Sequence, residues 1–169
     1  YYQIEKYIDE GTFSNTIFQT LQLYVMSNEQ TTRYMAAAPK GELQDKFMFG
    51  WRTRDNTRVE NINEFAKQVL NIPRAHELVS EYMILSEEVS SKILMVLHPY
   101  QIHAIEAIFE AASKHQSGYI WHATGSGKTI TSFVSTKLLA QKSGIDRTIV
   151  LLDRKDLDNQ TTSEFTKFA

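Results

Sequence analysis

Cysteine is absent from this sequence of 169 residues, and proline and glycine are sparse. Without cysteine, a disulfide framework and any zinc or iron–sulfur site held by thiolates are excluded. No apolar run approaches the roughly 20 residues that a membrane-spanning helix needs, so we expect no membrane association. The net charge of −2 excludes binding of nucleic acid through an overall positive field. Any such contact has to come from a local patch.

The first residue is Tyr1 rather than methionine, and it lies inside a helical pattern. A chain that opens within an element and closes just after a motif-rich turn is typical of a piece of a longer polypeptide. We therefore expect some residues needed for chemistry to lie outside it. The hydrophobic content of 42% is enough for a buried core in one domain or two small ones.

Residues 1–80 show mixed helix and strand patterns. Apolar spacing predicts helices over 1–10 and 62–70 and a further helix from Pro73, while β-branched and aromatic residues predict strands over 20–27, 31–37 and 46–52. Residues 28–30 are predicted as the turn of a hairpin. Residues 52–63 are predicted as a loop leading into a helix, and 81–97 as a connector between the two halves of the chain.

The second half has a regular alternation. A helix is predicted from His98, followed by a buried strand over 118–123, a helix over 128–142, a buried strand over 147–153 and a helix over 155–168. Strands that alternate with helices in this way predict a parallel sheet with crossover helices. The fold class is therefore α/β.

A phosphate-binding loop is the strongest motif in the chain. Residues 122–129 read His-Ala-Thr-Gly-Ser-Gly-Lys-Thr, between a predicted strand and a predicted helix. The two glycines lack the Cβ atoms that would keep backbone N–H groups away from phosphates, and the helix adds its positive N-terminus. The lysine supplies a full charge and the final threonine a hydroxyl ligand for Mg²⁺. We predict that ATP is bound by Thr124, Gly125, Ser126, Gly127, Lys128 and Thr129.

The alternative is a glycine-rich turn with an incidental lysine. The strict motif has a small residue at the position of His122, which we interpret as a packing residue. The intact Gly-x-Gly-Lys-Thr core and its strand–helix context favour the phosphate loop.

Three stretches together resemble one protein family. They are PYQIHAIEAI at 99–108, SGYIWHATGSGKTITSF at 117–133 and LLDRKDLDNQT at 151–161. Read together, they resemble the R subunit of type I restriction enzymes, a helicase-like motor and nuclease of superfamily 2. The resemblance implies that residues 1–80 are the end of a PD-(D/E)xK-type nuclease domain, that 81–97 connect, and that 98–169 begin the first RecA-like domain.

The resemblance also implies an activity. The family is an ATP-dependent endonuclease that uses ATP and Mg²⁺ to translocate and cleave foreign double-stranded DNA, in a cytoplasmic complex with methyltransferase and specificity subunits. In such motors a glutamine at the position of Gln101 contacts adenine, whose donor–acceptor edge suits an amide. The alternative for Gln101 is a solvated polar residue in the first turn of a helix.

Two further sets of residues are implied by the resemblance. Arg154 and Lys155 match a motif that approaches the DNA backbone, where they would bind phosphate without reading sequence. The alternative is a solvated helix start capped by Asp153 or Asp156. Gln3 and Tyr7 match the Gln-x-x-x-Tyr motif that supports the nuclease, and the alternative is helix packing, because residues at i and i+4 share a helix face.

Parts of the family pattern are not found in this sequence. The carboxylates of the nuclease would precede Tyr1, and the acidic Walker B pair and the arginine finger would follow Ala169. Asp153 is not the Walker B acid, because Arg154 and Lys155 follow it. The piece alone is expected to bind nucleotide weakly and hydrolyse little. The rival interpretations are another superfamily 2 translocase or helicase, a truncated nucleotide-binding module without activity, and a P-loop kinase, which fits poorly.

Overall fold

The computed structural model describes residues 1–39, 41–88, 91–151 and 155–168. In these ranges the chain is a mixed α/β structure whose strands form three two-stranded antiparallel sheets. None of the helices described there is both long enough and apolar enough to cross a bilayer.

The first half combines short helices with two hairpins. Its elements are α1 (Tyr2–Asp9), β1 (Leu23–Ser27), β2 (Thr32–Ala36), β3 (Trp51–Arg52), β4 (Arg58–Val59), α2 (Ile62–Phe65), which continues as a π turn over Ala66–Leu70, and α3 (Arg74–Ser80). Asn28 closes the β1–β2 turn, since its side-chain oxygen accepts hydrogen bonds from the N–H and hydroxyl of Thr31. Asn61 caps α2 by accepting from the N–H groups of Asn63 and Glu64.

The second half places one hairpin before three helices. Its elements are β5 (Met83–Glu88), β6 (Ser91–Val96), α4 (Pro99–Ser113), α5 (Lys128–Ala140) and α6 (Lys155–Phe168). Pro99 occupies the first turn of α4, where a missing N–H has no consequence. Helix α4 packs on α5, and α6 packs on α5 and β5.

The β1–β2 hairpin separates two apolar clusters. Tyr34 lies on the face that belongs to the larger core, with residues from every part of the chain between β1 and α5. Its hydroxyl is buried and donates to the carbonyl of Leu97, which links β2 to the end of β6. On the other face, Tyr24 and Met35 pack with Ile4 of α1. The hairpin therefore carries α1 on one side and the rest of the structure on the other.

Residues 81–97, which we predicted as a connector between the two halves of the chain, have regular secondary structure. They contain the β5–β6 hairpin, whose pairing runs from Met83 opposite Val96 to Glu88 opposite Ser91. Ile84 and Val96 lie in the same core as residues before and after the hairpin. The two strands were not predicted, because Glu87 and Glu88 weaken the strand pattern in sequence; both residues lie at the end of the hairpin that is far from that core.

The two buried parallel strands predicted in the second half are not formed either. Residues 118–123 and the described part of 147–153 have no strand assignment, and Trp121 and Leu151 are 90% and 93% exposed. A strand exists only where a neighbour completes its hydrogen bonds. Within the described ranges neither segment has such a neighbour, so their apolar side chains remain exposed. The helices on either side of them formed as predicted.

The segment 46–52 differs from its prediction in detail. It begins within a short 3₁₀ turn, Asp45–Phe47, and Phe49 then forms an isolated antiparallel bridge with Tyr34. Only Trp51 and Arg52 are strand residues, and they pair with β4, which the sequence did not predict. Packing of Trp51 in the core fixes this small hairpin, which its polar sequence alone does not indicate.

Candidate functional site

The predicted phosphate loop is an exposed turn between an extended segment and α5. Gly125 and Gly127 have φ angles of +77° and +74°, which residues with a Cβ atom rarely adopt. The hydroxyl and N–H of Ser126 both donate to the carbonyl of Ala123, at 2.7 and 3.3 Å. The chain thereby doubles back on itself immediately before Lys128, the first residue of α5.

Several backbone N–H groups of this loop have no hydrogen-bond acceptor in the described structure. In the part of the chain that the structure describes, the N–H groups of Gly125, Gly127, Lys128 and Thr129 have no hydrogen-bond acceptor. The first N–H groups of any helix lack partners within the helix and carry its positive end. The Lys128 ammonium lies on the same turn, where it donates to the carbonyl of Ala123 at 3.0 Å. This arrangement suits an anionic ligand such as a polyphosphate.

Two residues in the first turn of α4 donate hydrogen bonds to the loop. The Tyr100 hydroxyl donates to the carbonyl of Ser126 at 2.8 Å. The Gln101 amide nitrogen donates to the carbonyls of Ser126 and Gly127 at 3.4 and 3.3 Å, and its oxygen accepts from the N–H of His98 at 2.9 Å. Gln101 is only 3% exposed. Both ends of the Gln101 amide are therefore hydrogen-bonded within the protein, and the amide links the N-terminus of α4 to the loop.

Aromatic rings surround this contact. His98 and Tyr100 stack with their ring centroids 5.2 Å apart, and His122 meets Tyr100 edge-on at 5.6 Å. Burial lowers the pKa of His98 below its ordinary value, which favours the neutral ring. His122 thus packs against Tyr100, as the sequence interpretation proposed. Tyr100 itself was not predicted as a site residue, although it lies beside Gln101 in the stretch that carried the resemblance.

The contact between Gln101 and the loop leads to a prediction for Gly127→Ala. A Cβ at Gly127 would lie 2.5 Å from the Gln101 amide nitrogen. The glutamine would have to leave its two carbonyl acceptors, which adds about 1 kcal/mol to the roughly 1–2 kcal/mol that a left-handed φ costs an L-residue. We expect a loss of about 2–3 kcal/mol in urea unfolding.

Gly144→Ala is the matched control for this prediction. Gly144 has a φ of +89°, and no atom lies within 4 Å of an added Cβ. Gly144→Ala should lose only the roughly 1–2 kcal/mol of stability that a left-handed φ costs an L-residue. In a Gln101→Ala background the extra loss at Gly127 should disappear, since the clashing group is gone. Equal losses for both glycine variants in the wild-type background would contradict the proposed contact.

A charged cluster lies further along α4. The Glu106 carboxylate accepts from Arg74 at 2.5 Å, from Arg54 at 3.2 Å and from the His103 ring at 3.3 Å, and its side chain is 16% exposed. Burial raises the pKa of Glu106, but the hydrogen bonds and positive charges outweigh burial and bring the pKa to about 2. The cluster ties α4 to residues of the first half, and sequence reasoning gave no signal for it.

The remaining predicted site residues fall into two groups. Arg154 and Asp153 lie outside the described residues, and Lys155 is the first residue of α6, with its side chain outside the description. Gln3 and Tyr7 are both described, one turn apart on α1, and they line one cavity against the β1–β2 hairpin. Among the described residues, no group of three His, Asp or Glu side chains could hold a metal ion.

Comparisons with known proteins show which proteins this chain resembles in sequence. Residues 94–169 match the family described as "Type III restriction enzyme, res subunit". Over 154 residues, 90% of this chain, the sequence is 44% identical to the type I restriction enzyme SsaAORF53P endonuclease subunit of Staphylococcus saprophyticus. The chain is homologous to one segment of type I restriction endonuclease subunits.

Two more relatives extend the homology. The type I SauCOLORF180P endonuclease subunit of Staphylococcus aureus is 40% identical over 90% of this chain. The putative C-terminal part of the type I MpnIIP endonuclease subunit of Mycoplasma pneumoniae is 37% identical over 70% of this chain and 61% of its own length. This restriction-subunit homologue spans 16% of the length of the staphylococcal relatives. The recognition made from three short stretches of sequence is thus confirmed.

Proposed function

We propose that this chain is the ATP-binding segment of the motor and nuclease subunit of a type I restriction system. The complete subunit would hydrolyse ATP to translocate double-stranded foreign DNA and would cleave it, in a cytoplasmic complex with methyltransferase and specificity subunits. The observation that carries the proposal is the exposed turn at the start of α5. Backbone N–H groups without acceptors in the described structure and the Lys128 ammonium lie together on this turn. Homology to restriction endonuclease subunits supplies the context.

The residues of the loop fit a nucleoside triphosphate with its magnesium ion. The phosphates would be held by the glycine-rich turn, the first N–H groups of α5 and the Lys128 ammonium; the proposed contacts are Thr124, Gly125, Ser126, Gly127, Lys128 and Thr129. Mg²⁺ would be held by the phosphates together with the Thr129 hydroxyl. Hydrolysis of the bound nucleotide would supply the free energy for translocation.

The finer domain assignment is part of the proposal. Residues 98–169 would begin a RecA-like domain, which is supported by the family match over 94–169. Residues 1–80 would end a nuclease domain, with 81–97 between them. In the complete subunit, residues 118–123 and 147–153 would then become strands once neighbouring strands complete their hydrogen bonds.

Roles in DNA handling are proposed for two further sets of residues. Arg154 and Lys155 would contact the DNA backbone without reading its sequence. Gln3 and Tyr7 would support the nuclease, which is favoured by their shared position on one accessible face of α1.

The experiment that tests the proposed function measures ATP hydrolysis by the complete subunit with and without double-stranded DNA, for the wild type and Gln101→Ala. We expect DNA to stimulate the wild-type rate. Gln101→Ala should raise the KM for ATP about tenfold, because the loop loses hydrogen bonds that fix its carbonyls. A subunit that neither binds ATP nor responds to DNA would contradict the proposal.

The same variant separates two roles for Gln101. If Gln101 contacts adenine, Gln101→Ala should reduce the preference for ATP over GTP. If it acts only by holding the loop, as its bonds to Ser126 and Gly127 indicate, both nucleotides should lose affinity equally. Affinity for both nucleotides that equals the wild-type value would remove Gln101 from the site.

A further inference from the structure

The cavity between α1 and the β1–β2 hairpin contains a cation that the motif analysis did not include. Gln3 and Tyr7 line it from α1, and Arg33 lines it from β2. Arg33 pairs with Met26 across the hairpin, in the register that also pairs Tyr24 with Met35. Directly paired residues project to the same face, and the face alternates along each strand. Arg33 therefore lies on the same face of the hairpin that α1 covers.

Arg33 differs from the other arginines of the first half. Arg54, Arg58 and Arg74 each form an ion pair with at least one glutamate, and Arg52 donates to Asn56. The Arg33 guanidinium has neither an ion pair nor a hydrogen bond with any residue in the described ranges, and the side chain is exposed. Its charge is thus available to a ligand.

Two further polar groups of the cavity are also available, unlike the Ser27 and Thr31 hydroxyls, which are hydrogen-bonded to Thr32 and Asn28. Within the part of the chain that the structure describes, the Gln3 amide and the Tyr7 hydroxyl have no hydrogen-bond partner. The cavity lining includes Ser27 and Thr31 but no aspartate or glutamate. An opening of about 460 Å³ that has one free guanidinium and several donors, and no carboxylate, is suited to an anion.

We propose that Arg33 binds a phosphodiester of the DNA backbone beside Gln3 and Tyr7. The inference rests on the proposed function, in which these two residues support the nuclease, and it adds the group that would hold the substrate there. Guanidinium groups bind phosphate oxygens in a bidentate manner and carry no sequence information, which suits an enzyme that cuts away from a recognition site.

The test uses the complete subunit assembled with its partner subunits. We expect Arg33→Gln to reduce double-strand cleavage at least about tenfold, since charged hydrogen bonds to phosphate are among the strong ones. Arg33→Lys should retain part of the activity because it keeps the charge. Arg58→Gln is the matched control: Arg58 is an exposed arginine on the next hairpin and pairs with Glu60, so cleavage should not change.

A second readout separates binding from folding. In the absence of ATP, the affinity for a labelled duplex should fall less steeply with salt in Arg33→Gln, with the log–log slope reduced by about 1 for one lost phosphate contact. Nucleotide affinity equal to the wild-type value shows that the variant is folded.

The outcomes distinguish the inference from the proposed function. If Gln3→Ala and Tyr7→Phe reduce cleavage while Arg33→Gln changes neither cleavage nor the salt slope, the phosphate contact is refuted and the nuclease role stands. If the wild-type subunit shows neither DNA-dependent ATP hydrolysis nor cleavage, the proposed function itself fails. A normal salt slope with reduced cleavage would also overturn the phosphate contact, since the loss would then arise without a change in DNA binding.

Discussion

Lys128→Ala is expected to weaken ATP binding by the complete subunit about a hundredfold and to abolish its hydrolysis. The ammonium is the one full positive charge of the loop 122–129, and charge-assisted hydrogen bonds contribute roughly 1.5–3 kcal/mol each. Backbone donors remain in the variant, so residual binding is expected rather than complete loss. Equilibrium titration with a fluorescent ATP analogue in the presence of Mg²⁺ measures the effect.

Lys137→Ala is the matched control for Lys128. Both lysines lie on α5 and are exposed, but Lys137 is more than two turns further on, over the ring of Phe133. Its removal should leave nucleotide affinity unchanged. Loss of Lys128 should have little effect on stability, because its contact with the Ala123 carbonyl is exposed. Nucleotide affinity that survives Lys128→Ala unchanged would refute the assignment of the loop.

Glu106→Gln is expected to give the largest loss of stability. The pKa of Glu106 falls from 4.5 to about 2 in the folded protein. One pKa unit corresponds to about 1.4 kcal/mol, so the charged form should contribute about 3.5 kcal/mol at pH 7. The variant leaves Arg74 and Arg54 without their shared carboxylate. Urea unfolding of the wild-type and variant chains at pH 7 measures the difference.

The pH dependence of that difference has a definite sign. Because the folded pKa is lower than the unfolded one, the contribution is present above about pH 4.5 and is lost as the pH falls toward 2. The wild-type and Glu106→Gln unfolding free energies should therefore converge at acidic pH. A difference that stays constant between pH 7 and pH 3 would mean that the loss arises from packing rather than from charge.

Glu87→Gln is the control for Glu106. Glu87 also pairs with a cation, Lys92 at 2.5 Å, but its side chain is 53% exposed, at the end of the β5–β6 hairpin. Exposed pairs typically contribute less than about 1 kcal/mol, so this variant should differ little from the wild type at any pH. The comparison contrasts a buried carboxylate that has three partners with an exposed carboxylate that has one.

The Glu106 cluster also bears on the proposed domain boundary. Arg74 belongs to the first half of the chain and Glu106 to α4, whose N-terminal residues hold the phosphate loop. A loss of stability at Glu106 would therefore act on the junction between the two proposed domains. The shared core also contains Ile84 and Val96 of the β5–β6 hairpin, which therefore packs with residues of both halves.

The sequence predicted the helices of the second half and the first hairpin, because short-range physics decides them. The start of α4 and both ends of α5 and α6 were placed to within two residues, and the β1–β2 hairpin was predicted from its strand residues and turn. Gly125 and Gly127 adopt left-handed φ angles, which glycine permits because it has no Cβ atom. The resemblance to type I restriction enzyme subunits rested on three short stretches, and the homologous endonuclease subunits confirmed it.

Tertiary structure decided everything that depends on distant partners. Whether residues 118–123 form a strand depends on a neighbouring strand, which no local pattern supplies. The resemblance implied that Gln101 contacts adenine, whereas in the structure its amide donates to the Ser126 and Gly127 carbonyls. The Glu106 cluster joins segments that are far apart in sequence. Whether the Arg33 guanidinium finds a partner also depends on which distant segments pack around it. Local preference determines which elements and turns form, whereas ion pairs, buried amides and strand ladders require two separate segments to meet, and only the folded chain brings them together.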